Sequence, residues 1–194
     1  HLQPPIHKAK GTTMTTTAPE TLDLTAGTWT IDQTHSEVSF TVRHLGLSKV
    51  RGRFNAFDGT VTIGTDRLAS SVTANIDLSS IDTNNPQRDG HLRSSDFFDL
   101  ATHPTMTFTS TAVTETSLNG TLTINGITQP FVFDLEFHGV VADGYGVTRA
   151  GFSATGQISR SDFGINFNAP VGLDGMLISD KVAIELEIEA VRAQ

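Results

Sequence analysis

The chain of 194 residues carries 13 basic and 21 acidic side chains, a formal charge of −8, and no cysteine. At about 150 residues per domain this allows one domain with a tail, and the charge has the wrong sign for gripping a phosphate backbone, so nucleic acid is not expected as a partner. Without cysteine there is no disulfide, thiolate nucleophile, zinc ribbon or iron–sulfur site, and no apolar run approaches the roughly 20 residues of a membrane-spanning helix.

Residues His1 to Thr13 (HLQPPIHKAKGTT) read as a vector remnant ahead of Met14. We therefore set 1–26 aside as a tag and disordered tail and expect the folded domain over 27–194. No leader with a hydrophobic centre is visible, so the chain as given is expected in the cytoplasm, or in the periplasm or outside the cell where a leader has been removed. From Gly27 onward the hydrophobic period is two, the period of half-buried strands. Val38, Phe40, Val42 and His44 share one face, with Ser39, Thr41 and Arg43 on the other. The same alternation runs through Val72–Leu78, Phe131–Phe137 and Val182–Ile188, and predicts strands over 28–45, 49–65, 69–80, 104–115, 117–126, 129–142, 147–160 and 180–192. The apolar parity changes between Ala56 and Phe57, which predicts a bulge or bend there. Asn119-Gly120, Asn125-Gly126 and Asp143-Gly144 are hairpin-turn signals. Pro86 to Pro104 lacks alternation and is expected to hold one short helix around His91–Ser95, lying across an end of the sheet. Ser161–Ile178 reads as a long loop.

Long antiparallel strands that are apolar on one face either pack as two sheets or close into a barrel without edges. Strand length and short turns favour an up-and-down barrel of eight strands, whose interior is filled by side chains or holds one slender ligand. Small residues on the inward face (Gly52, Ala74, Ala112, Ala154, Gly156) leave both readings open: they oppose the twelve phenylalanines in a solid core, or they line an apolar tunnel. A tunnel would suit a hydrocarbon chain, since each buried methylene contributes about 0.8 kcal/mol.

Several motifs then occur in order: Thr28-Trp29-Thr30-Ile31-Asp32 with His35-Ser36-Glu37-Val38-Ser39-Phe40 and Val42-Arg43-His44; Val50-Arg51-Gly52-Arg53-Phe54; Ser80-Ile81-Asp82-Thr83; His91-Leu92-Arg93-Ser94-Ser95-Asp96-Phe97-Phe98-Asp99; Pro104 with Phe108 and Ser110; Gly120 to Thr128; and Arg160-Ser161-Asp162-Phe163-Gly164. Together, over about residues 27–192, they resemble the YceI-like, polyisoprenoid-binding family. The resemblance implies an extended eight-stranded antiparallel lipocalin-like barrel with a helix near one end. It further implies an internal channel for an isoprenoid chain, such as that of a quinone or polyprenyl lipid, or a similar amphiphile, in a protein that is often dimeric and exported.

On this reading Phe40, Val42, Phe54, Ile76, Met106, Phe108, Phe133 and Phe152 line the interior, Phe97 and Phe98 stand at the entrance, and His44 offers a polar contact to a head group. No catalytic set, metal site or cofactor is expected. His35, His44, His91, His103 and His138 are scattered over separate elements without paired ligand spacing. His35 reads as a turn-stabilising residue, and Asp162-Phe163-Gly164 as a structural turn. Two alternatives stay open: an enzyme using His44, or Asp96 and Asp99, as acid or base on a lipid-like substrate, and an interaction module with a solid core.

Overall fold

The computed structural model describes residues 21–172 and 175–193. Its first short strand, β1 (Thr21–Leu22), is followed by β2 (Gly27–Ile31), β3 (Glu37–His44), β4 (Ser48–Phe54), β5 (Phe57–Ile63), β6 (Ser71–Asp77) and β7 (Ile81–Asp82). The helix α1 (Pro86–Leu92) leads to β8 (Thr105–Val113), β9 (Ser117–Ile124), β10 (Ile127–Ala142) and β11 (Thr148–Ser159). A small hairpin, β12 (Pro170–Val171) with β13 (Gly175–Met176), precedes the long final strand β14 (Ile178–Arg192).

Strands β2, β5, β6, β8, β9, β10, β11 and β14 pair in that order, and β14 returns to β2, so eight antiparallel strands close into a barrel. The final strand pairs with β2 through Ala190–Arg192 and with β3 through Ile178–Glu187. Thus β2 and β3 form one line of the wall. Likewise β4 continues β5 and β7 continues β6. The expected strands 28–45 and 49–65 are therefore each broken once, the expected strand 69–80 ends at Asp77 with a 3-10 turn at Leu78–Ser80 before β7, and the three interruptions are linked. Asp32 caps a 3-10 turn at Gln33–His35, accepting from Thr34 N–H at 3.0 Å and facing His35 Nδ1 at 2.8 Å. The Gln33 amide donates to Asn55 O in the second break. There Ala56 N–H donates to Ser80 Oγ, in the third, at 2.9 Å. The parity change at Ala56–Phe57 marks that second break: skipping two residues keeps Phe54 and Phe57 both buried.

One end of the barrel is plugged. Trp29, 1% exposed, packs with Val61, Ile63, Val140, Ala150 and Ala190, and its indole N–H donates to Thr25 O at 3.2 Å. Burying such side chains contributes about 2–3 kcal/mol each. Among the described residues no helix is long and apolar enough to cross a membrane.

Some expectations change in detail. The helix begins at Pro86 rather than near His91: Asn85 accepts from Arg88 N–H at 3.0 Å as N-cap and Pro86 occupies the first turn, where its missing N–H costs nothing. Asn119-Gly120 is not a turn but lies inside β9, with Gly120 opposite Phe131 and its Cα under the Phe108 ring; the β8–β9 turn falls at 114–116. Ala112 is exposed, because a register shift between Ser110 and Ala112 turns it out of the interior. Thr21–Leu22 already pairs with Val140–Val141, upstream of residue 27 where the domain was expected to begin. The vector remnant and most of the expected tail lie outside the described residues.

Candidate functional site

The inward faces of the strands enclose two apolar chambers. The lower one, about 180 Å³, lies above the Trp29 plug and is walled by Phe57, Val61, Ile76, Phe108, Phe133, Phe152 and Leu186 among others. The upper one, about 450 Å³, is walled by β3, β4 and β14 on one side and by α1 and the 160–177 segment on the other. Val38, Met106 and Ile184 line both, forming a waist between them. Every side chain expected to line a channel falls on these walls. Ile76, Phe108, Phe133 and Phe152 border the lower chamber, Phe40, Val42, His44, Phe54, Phe97 and Phe98 the upper, and Met106 the waist.

Glycines decide how much of the interior the phenyl rings fill. A Cβ at Gly52 would stand 2.7 Å from Phe40 Cε1, and one at Gly156 would stand 2.5 Å from Phe131 Cζ. At these positions the ring occupies the space a Cβ would take, the packing by which aromatic side chains cover strand glycines. Space therefore remains beside Phe40 and Phe54, whose centroids are 5.7 Å apart.

Polar groups border both chambers: Ser70, Thr114, Glu115 and Ser153 the lower, and a larger, basic set the upper. His44 and Arg43 border the chamber, as do Thr83, Arg88 and His91. Buried Asp89 accepts Thr83 N–H at 2.9 Å and the Thr83 hydroxyl, while Arg88 donates to Thr83 Oγ1 at 2.7 Å and to its carbonyl. Arg93 ties the helix back to the wall through Ser79 O and Ile81 O, each at 3.0 Å. His91 faces Asp96 at 2.8 Å and sets its ring edge-on to Phe97 and Phe167, at 5.0 and 4.9 Å. The segment after β11 is held by Arg160, 7% exposed, which donates to Ile165 O and Phe167 O at 2.8 Å and to Ser179 O at 3.1 Å. Burial pulls the Arg160 guanidinium below its ordinary value, partly offset by Asp180. Asn168 adds a second staple, bonding Ile178 through both amide atoms.

A model of the YceI-like domain matches residues 29–190. The chain belongs to the YceI-like family. This YceI-like chain is 40% identical over 164 residues to a UPF0312 protein of Vibrio cholerae, covering 81% of this chain and 82% of the relative. Among solved structures, the Campylobacter jejuni YceI protein superposes with a TM-score of 0.67 at 31% identity, over 78% of this chain and 90% of the other. A polyisoprenoid binding domain from Saccharophagus degradans, implicated in plant cell wall breakdown, superposes with a TM-score of 0.65 at 17% identity, over 87% and 100% of the two chains; at that identity the likeness is one of fold.

In this YceI-like barrel the Asp32–His35 motif stands apart from the channel. Asp32, His35 and Glu189 bring ligand-type atoms within 4.8 Å of one another, a convergence the sequence spacing does not reveal. Arg149 lies among them, its Nη1 bonded to Asp32 at 2.8 Å and to Glu189, and its Nε to Asp143 at 3.0 Å. The hydrogen bonds from His35 and Arg149 hold the Asp32 carboxyl down at about 2. A guanidinium already supplies the cation for these carboxylates. The structural roles of Arg160 and Asn168 were not read from the sequence; the signals were the Arg160-Ser161-Asp162-Phe163-Gly164 motif for the first and, for the second, its place inside a stretch too long for a bare loop.

Proposed function

We propose that the protein binds a long apolar tail of isoprenoid type, threaded from the upper chamber through the waist into the lower, and that it carries or sequesters that lipid. The observation that carries the reading is the continuity of apolar wall from His44 to the Trp29 plug, with chambers of about 450 and 180 Å³ meeting at shared residues. Ligand pockets of drug-sized molecules run from about 300 to 1,000 Å³, so the space is of the right order. Polar side chains border both chambers, and the cationic and imidazole groups of Arg88, His44 and His91 belong to the upper one, where this reading seats the head of an amphiphile with its tail directed to the lower. The polyisoprenoid binding named for the Saccharophagus degradans domain supports the ligand class.

The solid-core alternative is disfavoured by the two chambers; of the residues in the acid–base alternative, His44 borders the upper chamber while Asp96 bonds His91. Native mass spectrometry of protein purified without detergent, followed by solvent extraction and lipid analysis, is expected to recover a bound isoprenoid lipid. Recovery of ligand-free protein that takes up no isoprenoid alcohol or quinone on titration would refute the proposal.

A further inference from the structure

The β3–β4 hairpin carries an unusual surface. From Val38 to Phe57 the sequence holds Arg43, Lys49, Arg51 and Arg53 and no carboxylate, in a chain whose net charge is −8. Arg43 and Lys49 sit directly opposite each other, with Arg51 two residues further along the same face of β4. Like charges in facing positions destabilise an antiparallel pair. Among the described residues Arg53 has a carboxylate partner, Asp82 at 3.3 Å, whereas Arg43, Lys49 and Arg51 form no ion pair. The tip between the strands is apolar: Leu47 is 82% exposed and Leu45 37%. Leu45 is also held at φ 55°, a left-handed conformation that a branched side chain adopts only under constraint.

This tip adjoins the cavity. His44, the residue before it, lines the upper chamber, and Leu45 N–H donates to the carbonyl of Leu177, which lines it too, at 2.9 Å. Beyond Leu177 the β12–β13 hairpin adds Met176 and Val171, 56% and 41% exposed. Two apolar hairpins thus flank the chamber mouth, one of them on a cationic stem.

We infer that this end of the barrel docks on an anionic phospholipid bilayer, with Leu47 and Leu45 entering the acyl boundary and Arg43, Lys49 and Arg51 resting against the head groups, so that a tail passes between bilayer and channel without crossing water. An apolar tip on a basic stem matches the layering of an interface, and its continuity with an apolar cavity favours a bilayer over a protein partner. The inference rests on the lipid-binding reading for its cargo, not for the docking itself.

Flotation with vesicles of phosphatidylcholine containing phosphatidylglycerol, against pure phosphatidylcholine, tests it, with farnesol titration run in parallel on the same samples. The wild-type protein is expected to float with the anionic vesicles. Leu47→Asp is expected to lower that partitioning more than tenfold, and each of Lys49→Gln and Arg51→Gln about fivefold, with farnesol affinity unchanged. Leu68→Asp, at an exposed leucine outside the two hairpins, is expected to leave flotation unchanged. Intact farnesol binding with no flotation, or with equal flotation of Leu47→Asp, overturns the docking inference alone. So does conversion of a dimer to a monomer by Leu47→Asp without any vesicle effect, because a second copy would then be the occupant of the tip. Flotation that depends on Leu47 without farnesol binding upholds the docking surface and refutes the lipid-tail reading.

Discussion

Replacing Val38 by tryptophan is expected to divide the channel in two. Val38 borders both chambers and lies on β3 between Phe54 and Leu186, so a larger side chain there grows into the waist toward Met106 and Ile184. Empty apolar space costs a protein about 24 cal/mol per Å³, so filling the lower chamber of about 180 Å³ with hydrocarbon is worth on the order of 4 kcal/mol, about a thousandfold in affinity. Short tails that end in the upper chamber do not draw on this, and longer ones do, by about 0.8 kcal/mol for each further methylene until the lower chamber is full. Calorimetric titration of isoprenoid alcohols of increasing length therefore gives two curves. In the wild-type protein affinity climbs with length and then levels; in Val38→Trp it levels earlier, up to a thousandfold weaker for the longest tails. Circular dichroism and thermal melting confirm that the variant is folded. Identical length dependence in the two folded proteins would refute the threaded channel.

Gly52→Ala is expected to lose about 1–3 kcal/mol in urea unfolding, because the new methyl displaces the Phe40 ring. The double variant with Phe40→Leu recovers part of that, and a strictly additive pair would refute the contact. Asp32 is held at about 2 in the folded protein, against an ordinary 3.8. A depressed carboxyl stabilises above its unfolded value and loses that contribution as the pH falls through the folded one. Asp32→Asn should therefore be less stable at pH 7, by on the order of 2 kcal/mol, with the difference fading between about pH 4 and 2; a difference that persists at pH 2 argues against this linkage. Arg160→Leu is expected to cost about 3 kcal/mol by orphaning buried carbonyls, and to speed hydrogen exchange at Ile165–Asn168 while β8 and β9 stay protected.

The alternation of Val182 to Ile188 and of Phe131 to Phe137 made the inward faces legible, since a two-residue period leaves little choice about which side chains meet inside, while the choice of a barrel over two packed sheets rested on strand length, short turns and the family resemblance. Residues such as Phe54 and Met106 could be placed on the channel wall for that reason. What escaped was decided by contacts distant in sequence. The second break shows in the parity change at Ala56–Phe57, but its linkage to the others, through Gln33 reaching Asn55 and Ala56 reaching Ser80, leaves no mark on local periodicity. Asn119-Gly120 imitates a turn, but the glycine is needed where the Phe108 ring crosses β9. The sequence shows Arg160 as the start of a motif, but not the carbonyls of Ile165 and Phe167 that surround it. Asn85 followed by Pro86 is a helix start written in the sequence itself, an N-cap and a first-turn proline.

The alignment of the Gln33, Asn55 and Ser80 breaks has a consequence for diversification. Below them a continuous hydrogen-bonded collar closes on itself. Above them β3, β4, β7 and α1 form a separate tier, joined to the collar by short turns and to the rest of the wall through β14. Exchange of that upper tier between paralogues would re-tailor cargo choice while the chassis beneath went on folding as before.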